Sequence, residues 1–341
     1  MKPKKPGQTA SKAARPTMHD VAASAGVSQM TVSRVLRGDG YISEDVKNRV
    51  SAAVAELGYI QNRLASVQRG SENPMVGVVL PTLKNAVFVE VLAGINDTLS
   101  KHNLRPVFGV SEYSAEQEEL LVRDMLSWQP SGLILSGMEH TERLRRAVLQ
   151  SGARVAEIMD VDGQAISASF GISQTKAGQE MGDHLLARGH QRIAYLGSQG
   201  GHDLRAAKRL AAFKERITQK GGAIIHQRVA ERPSSMALGR ELTEACLSDV
   251  RDCDAIYFSN DDLAAGGLMH CISHGISVPG DVALAGFNDL PFLTALPQRI
   301  TTTRTPRYDI GAMAAGYVGG DDDYVAGVNE LKAELVIGDT T

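Results

Sequence analysis

Ser28, Gln29, Met30, Thr31, Ser33 and Arg34 bring three hydroxyls, an amide, a thioether and a guanidinium into one short stretch of a 341-residue chain. Short hydroxyls suit phosphate oxygens, and an arginine fork matches the paired acceptors of guanine. That chemistry points to double-stranded DNA. A second set follows apolar runs further along: Ser136, Asp160, Asn260, Asp261, Asn288 and Asp289. Their carboxylates, amides and hydroxyl suit the hydroxyl groups of a sugar-like molecule. His270 and His274, with Cys271 between them, have a metal-ligand spacing but no HExxH glutamate and no third ligand. The run 197–201, GSQGG, has neither the Lys-Ser/Thr of a P-loop nor a full GxGxxG. No serine sits in a nucleophile elbow, and no carboxylate pair with a positioned acid or base can be read. No catalytic residue, metal ligand or cofactor is therefore assigned, and the chain reads as a non-enzyme.

The first set needs a helix to present it. Met18, Val21, Ala22 and Ala25 form one apolar stripe at helical spacing, Gly26 can take the turn that closes that helix, and Val27 is apolar and would fill the gap beyond. Ser28 is a good N-cap for a second helix burying Val32, Val35 and Leu36. Its other face carries Gln29, Met30, Thr31, Ser33 and Arg34. Two such helices make a helix-turn-helix, whose second helix enters the major groove. Ser43 is placed to cap a third helix, with Val46, Val50, Val54 and Leu57 inward and Gly58 at its end. Three helices in so few residues leave a small core.

Charge is divided along the chain. Residues 1–73 hold eleven Lys and Arg against six Asp and Glu, a net of +5, while the remainder holds 25 against 33, a net of −8. A basic head on an acidic body fits a small DNA-binding unit joined to a larger one that does not touch phosphate. Three cysteines without a CxxC pair suggest reduced thiols. The basic start has no apolar run after it, and no stretch is long enough to span a membrane, so a cytoplasmic protein is expected.

From Met75 onward, apolar runs alternate with amphipathic stretches. Strands are predicted at 75–80, 105–110, 132–136, 154–159, 192–197, 223–227, 255–259 and 282–287, with helices at 86–101, 115–128, 174–188, 205–219, 235–247 and 261–274. Repeated βα units imply parallel sheets clothed by helices, and eight strands over this length suggest two of them. Ligands in such sheets bind beyond the carboxyl ends of the strands, where the second residue set falls.

The stretches MHDVAASAGVSQMTVSRVL and ELGYIQNR resemble the headpiece of lactose-repressor (LacI) family regulators, and GHQRIAYLG, SNDDLAAGGL, VPGDVALAGFND and ITTTRTP resemble that family's effector domain. The resemblance implies an all-α helix-turn-helix headpiece and a two-lobed α/β effector domain like the periplasmic sugar-binding proteins, with parallel sheets. It divides the chain into a disordered basic tail (1–16), a headpiece (17–62), a hinge (63–74) and an effector and dimerisation domain (75–341). The N-lobe spans about 75–173 plus 300–330, and the C-lobe about 174–299. The implied partners are palindromic operator DNA, a small-molecule effector and further copies of the chain, as a homodimer or tetramer.

Residue by residue, the resemblance places Thr17 and Asn62 on the DNA backbone and Gln29 and Met30 where family members choose among operators. Family hinges carry a proline and then a leucine that wedges into the minor groove. Gln61 and Gln68 stand at those positions here, with Val67 the nearest apolar residue, so a less kinked operator is expected. Phe88 matches a position that packs on the effector, and Arg209 that of an effector-binding arginine. With Ser136, Asp160, Asn260, Asn288 and Asp289 they make the expected effector site.

VLPTLKNAVFVEVLAGI, MLSWQPSGLIL with Glu139-His140-Thr141, and VAEIMDVDG resemble gluconate-utilisation repressors, which implies a sugar acid such as gluconate or 6-phosphogluconate. A neutral sugar, a purine or a protein co-regulator stands as the alternative, and a sugar-processing enzyme fused to a headpiece as another. After 311–318 the sequence GGDDD departs from the family by interrupting a helix.

Overall fold

The structure, a computed structural model, describes residues 16–37, 40–59, 73–199 and 202–341. The expectations for the basic tail up to residue 15, for Gln61, Asn62, Val67 and Gln68 of the hinge region, and for Gly200 and Gly201 lie outside the described residues. The chain forms two compact units, one up to Ser71 and one from Glu72 onward.

The first unit contains α1 (Met18–Ala25), α2 (Gln29–Arg37) and α3 (Glu44–Leu57). Thr17 and Asp20 form a capping box: the Thr17 amide donates to Asp20 at 2.7 Å and the Asp20 amide donates back to the Thr17 hydroxyl. Gly26 adopts the left-handed conformation, with φ of 64°, that turns the chain out of α1. The Thr31 amide donates to the Ser28 hydroxyl at 3.1 Å, so Ser28 starts α2 as its sequence position predicts. Ser43 precedes α3 but makes no side-chain cap bond among the described residues. Val21, Ala22, Ala25, Val32, Val50 and Ala53 form the core, flanked by Val27, Val35, Leu36 and Val54.

The second unit is two-lobed. In the first lobe, β1 (Asn73–Leu80), β2 (Arg105–Val110), β3 (Pro130–Ser136), β4 (Arg154–Ile158), β5 (Ala168–Gly171) and β11 (Gly327–Glu330) form a parallel sheet in the order β11-β5-β4-β3-β1-β2. In the second, β6 (Arg192–Gly197), β7 (Ala223–Val229), β8 (Ala255–Phe258) and β9 (Ala283–Ala285) run parallel in the order β7-β6-β8-β9. β10 (Thr302–Arg304) and β12 (Glu334–Val336) make a separate antiparallel pair. The chain crosses between lobes after β5, again between β9 and the helix Arg307–Gly319, and a third time between β11 and β12.

Strands β5, β10, β11 and β12 and the helix Glu142–Ser151 were not predicted from the sequence. Each of these strands is three or four residues long and contains polar residues, so no continuous apolar run marks it. The predicted strand at 282–287 narrows to three residues, because Gly286 and Asn288 bond to the connection at Thr301 and Thr303 instead. The segment at 339–341 also joins the second lobe: Leu284 exchanges hydrogen bonds with Thr340, and Thr301 donates to the Thr340 hydroxyl. GGDDD ends a helix rather than interrupting one. Gly320, with φ of 93°, caps Arg307–Gly319, and Asp321 lies 3.2 Å from His102.

The helix Val87–Lys101 packs on Arg307–Gly319 through a reciprocal glycine contact. A Cβ at Gly94 would collide with the Tyr308 carbonyl, and one at Gly311 with the Val91 carbonyl. Larger side chains would force the helix backbones apart. Gly94→Val is expected to cost about 1–3 kcal/mol of stability, read as a lower urea midpoint; an unchanged midpoint contradicts the packing argument.

Candidate DNA interface and ligand cleft

Helix α2 presents Gln29, Met30 and Arg34 to solvent, and Met30 is 74% exposed. Ser28 is exposed and lies 2.9 Å from the half-buried Thr31 hydroxyl. Ser33 differs from the expectation. It is only 9% exposed, because it falls on the same side of the helix as Val32 and turns into the small core. Thr17 is exposed, with its amide and hydroxyl held by Asp20. These bonds also hold the Asp20 carboxyl below its ordinary pKa. The Arg34 guanidinium lies against Gly40, in the loop that follows the helix. His19 was missed by sequence reasoning. It is exposed on α1, and its Nδ1 lies 3.1 Å from the Gln29 amide nitrogen, placing both on one surface.

In the second unit a polar cleft opens beyond the carboxyl ends of the strands of both lobes. Pro81, Ser111, Tyr113 and Ser136 line it from the first lobe, and Ser198, Asp203, Arg205, Ser234 and Asn260 from the second. The geometry comes from parallel βα units, which deliver every strand's exit loop to the same edge. Glu112, Tyr113 and Gln199 on this rim have positive φ, as do Met159, Asn288 and Asp289 on the connecting segments. Such backbone is costly for residues with a Cβ and gathers at functional sites.

The expected effector residues divide into two groups. Ser136 and Asn260 line the cleft. Asn260 also caps the helix Asp261–His274 through the Leu263 amide and accepts from the Ser234 hydroxyl. Phe88 lies beneath the cleft with the Arg205 guanidinium 5.6 Å from its ring centre. Asp160 is fully buried and accepts from the Lys208 ammonium at 2.6 Å. Burial pushes its carboxyl above the ordinary range, against the pull of Lys208.

Arg209 is directed inward. It is 4% exposed, stacks 3.5 Å from the Phe287 ring centre, and donates to Gln174 and to the Ser259 carbonyl. Its charge thus serves packing beneath the cleft. Asn288 and Asp289 brace the connection between lobes. The Asn288 carbonyl accepts from Arg307, and the Asp289 carboxylate pairs with Arg304 at 2.7 Å. Beside them Asp261, fully buried, accepts from the Thr302 hydroxyl and the Leu290 amide, while burial raises its carboxyl to about 6.

Arg205, which sequence reasoning passed over, is the guanidinium that reaches the cleft. It donates to the Ser136 hydroxyl at 3.1 Å and lies 3.5 Å from Asp203. Burial alone would weaken its charge, but Asp203 and its other neighbours outweigh that and hold it protonated. Tyr113 stands nearby, its phenol pushed up to about 12 by burial and then by Asp203. The only sequence signal for Arg205 was its place one turn before Arg209 at the start of the same helix, Leu204–Gln219. Among the described residues no group of three His, Cys, Asp or Glu is placed to hold a metal, and no helix is long and apolar enough to cross a membrane.

A helix-turn-helix unit and a two-lobed α/β unit with a polar cleft, carried on one chain, define a ligand-responsive DNA-binding regulator. Residues 17–62 match the bacterial regulatory proteins of the lacI family, and residues 182–341 match the periplasmic binding protein-like domain. The HTH-type transcriptional regulator GntR of Pseudomonas aeruginosa is 40% identical over 303 residues, covering 88% of each protein. A LacI-family regulator from Silicibacter pomeroyi of known structure superposes with a TM-score of 0.90 at 40% identity, covering 95% of this chain and 99% of that one. The lac repressor dimer bound to operator and the anti-inducer ONPF superposes with a TM-score of 0.79 at 26% identity, covering 96% and 99%. The chain belongs to the LacI family of bacterial transcriptional regulators.

Proposed function

We propose that the protein is a cytoplasmic repressor of sugar-acid metabolism, a homodimer or tetramer on a palindromic operator, whose DNA affinity is set by gluconate or 6-phosphogluconate. The observation that carries the ligand class is Arg205, an enclosed guanidinium among cleft hydroxyls and amides. A guanidinium favours a carboxylate or phosphate, and Ser136 and Asn260 suit a polyol chain, with Phe88 below it. Similarity to a regulator named GntR supports the same reading. The ligand prefers one arrangement of the lobes, so it shifts the population away from the DNA-competent form by its differential affinity. A thermal-shift screen over sugar acids, neutral sugars and purines, followed by operator-release assays, tests this. Stabilisation and release by gluconate or 6-phosphogluconate support it; a response only to a neutral sugar or a purine overturns it.

On the DNA side, Gln29, Met30 and Arg34 read bases. Thr17, Ser28 and Thr31, together with Asn62, are assigned to the backbone, and Val67 to the operator centre. Arg34→Ala is expected to weaken binding to a DNA selected from a random pool by about 1–3 kcal/mol. Fluorescence anisotropy reads this directly, and an unchanged affinity removes Arg34 from the reading set.

A further inference from the structure

We propose that Lys208 is a latch between the lobes, and that Glu139 holds it in the place an anionic ligand would otherwise take. The second half of this statement rests on the sugar-acid reading above. Lys208 lies on Leu204–Gln219 in the second lobe, one turn beyond Arg205. Its ammonium crosses to the first lobe and meets three acceptors there: the Asp160 carboxylate at 2.6 Å, the Asp162 carbonyl at 2.9 Å, and the Glu139 carboxylate. An ammonium has three donors, so the first lobe satisfies it completely.

The two carboxylates are not equivalent. Asp160 is fully enclosed and also accepts from the Asp162 amide, so it is a fixed partner. The Glu139 side chain is about a third exposed, lies beside the cleft, and follows the turn that carries Ser136. One ammonium therefore faces two carboxylates, and with Arg205 balanced by Asp203 a surplus negative charge is left next to Arg205. A ligand carboxylate entering the cleft would meet that repulsion, and Lys208 can serve it only by releasing one of its three acceptors; giving up a carboxylate, unlike the Asp162 carbonyl, also relieves the repulsion. Glu139 is the one with water to retreat into. The exchange swaps one charge-assisted hydrogen bond for another, so its cost is small. Glu139 thus acts as an internal competitor that sets the ligand concentration needed for a response. The Glu139-His140-Thr141 segment, singled out in the sequence, acquires a role: Thr141 caps the next helix, buried His140 anchors the turn, and Glu139 faces the latch.

The test uses the full chain with spin labels at Arg143→Cys in the first lobe and Glu215→Cys in the second, both exposed, diluted with unlabelled protein. Without ligand, Lys208→Gln is expected to lengthen and broaden the interlobe distance distribution, and Glu139→Gln, which keeps Asp160, to broaden it less. Distributions matching the parent for both variants overturn the latch. Calorimetric titration with gluconate and with 6-phosphogluconate forms the second arm. Glu139→Gln is expected to bind about tenfold more tightly than the parent; equal or weaker binding overturns the competitor role. If the parent binds neither compound, the sugar-acid reading and the competitor role fall together, while the distances still decide the latch. Should Lys208→Gln fail to fold, Glu139→Gln alone carries the distance test.

Discussion

Replacing Arg205 with methionine is expected to lower gluconate affinity by about 10- to 150-fold, the equivalent of losing one hydrogen bond to a charged group. The variant should remain on its operator at gluconate concentrations that release the parent. Methionine keeps an unbranched chain over Phe88, so the change isolates the charge and the bond to Ser136. Arg209→Met makes a sharp comparison. The Arg209 guanidinium is spent on Gln174, the Ser259 carbonyl and Phe287. Its removal strands buried acceptors, so a lower melting temperature is expected before any change in ligand selectivity. Titration calorimetry and thermal melts on the two variants separate these outcomes. If Arg209→Met loses ligand binding at unchanged stability while Arg205→Met does not, the roles are reversed.

The second large effect concerns His140. Its ring is fully enclosed between the Glu118 carboxylate, 2.9 Å from Nδ1, and the Glu157 carboxylate, 3.5 Å from Nε2. Burial disfavours the imidazolium, but the two glutamates outweigh burial and raise its pKa from 6.5 to about 9. Because the folded pKa lies above the unfolded value, the stabilisation is fully present below about pH 6.5 and is lost as pH rises through about 9. A shift of that size corresponds to roughly 3 kcal/mol. His140→Leu would leave Glu118 and Glu157 buried without their cation, and is expected to cost about 3–5 kcal/mol. In melts across pH 6–10, the parent should lose stability toward the alkaline end, and His140→Leu should start lower and show less of that loss. A parent whose melting temperature is flat across this range contradicts a buried imidazolium.

Local signals carried the headpiece. The stripe Met18, Val21, Ala22 and Ala25, the left-handed Gly26 and the Ser28 cap each act within one turn of chain, so spacing alone located both helices. The eight predicted strands and six predicted helices of the second unit were legible for the same reason, since a buried parallel strand must be a continuous apolar run. Strands β5, β10, β11 and β12 carry no such run. They exist because partners far away in sequence offer an edge, as Ala168 does to Gly327.

The cleft divides in the same way. That Ser136, Asp160 and Asn260 follow strands is a one-dimensional fact, and parallel topology turns it into proximity. Whether a side chain on Leu204–Gln219 faces the cleft or the core is a rotation of about 100° per residue, decided by what the opposite lobe and the underlying sheet present. Arg205 and Lys208 fall on the cleft side and Arg209, one residue on, against Phe287. The order of elements, the charge division and the residues able to bind DNA or a polyol can be read along the chain, because each follows from local periodicity and side-chain chemistry. Tertiary structure alone decided which arginine reaches the cleft, that Lys208 spans the lobes and that His140 is held between two glutamates, because each depends on contacts between segments with no shared local pattern.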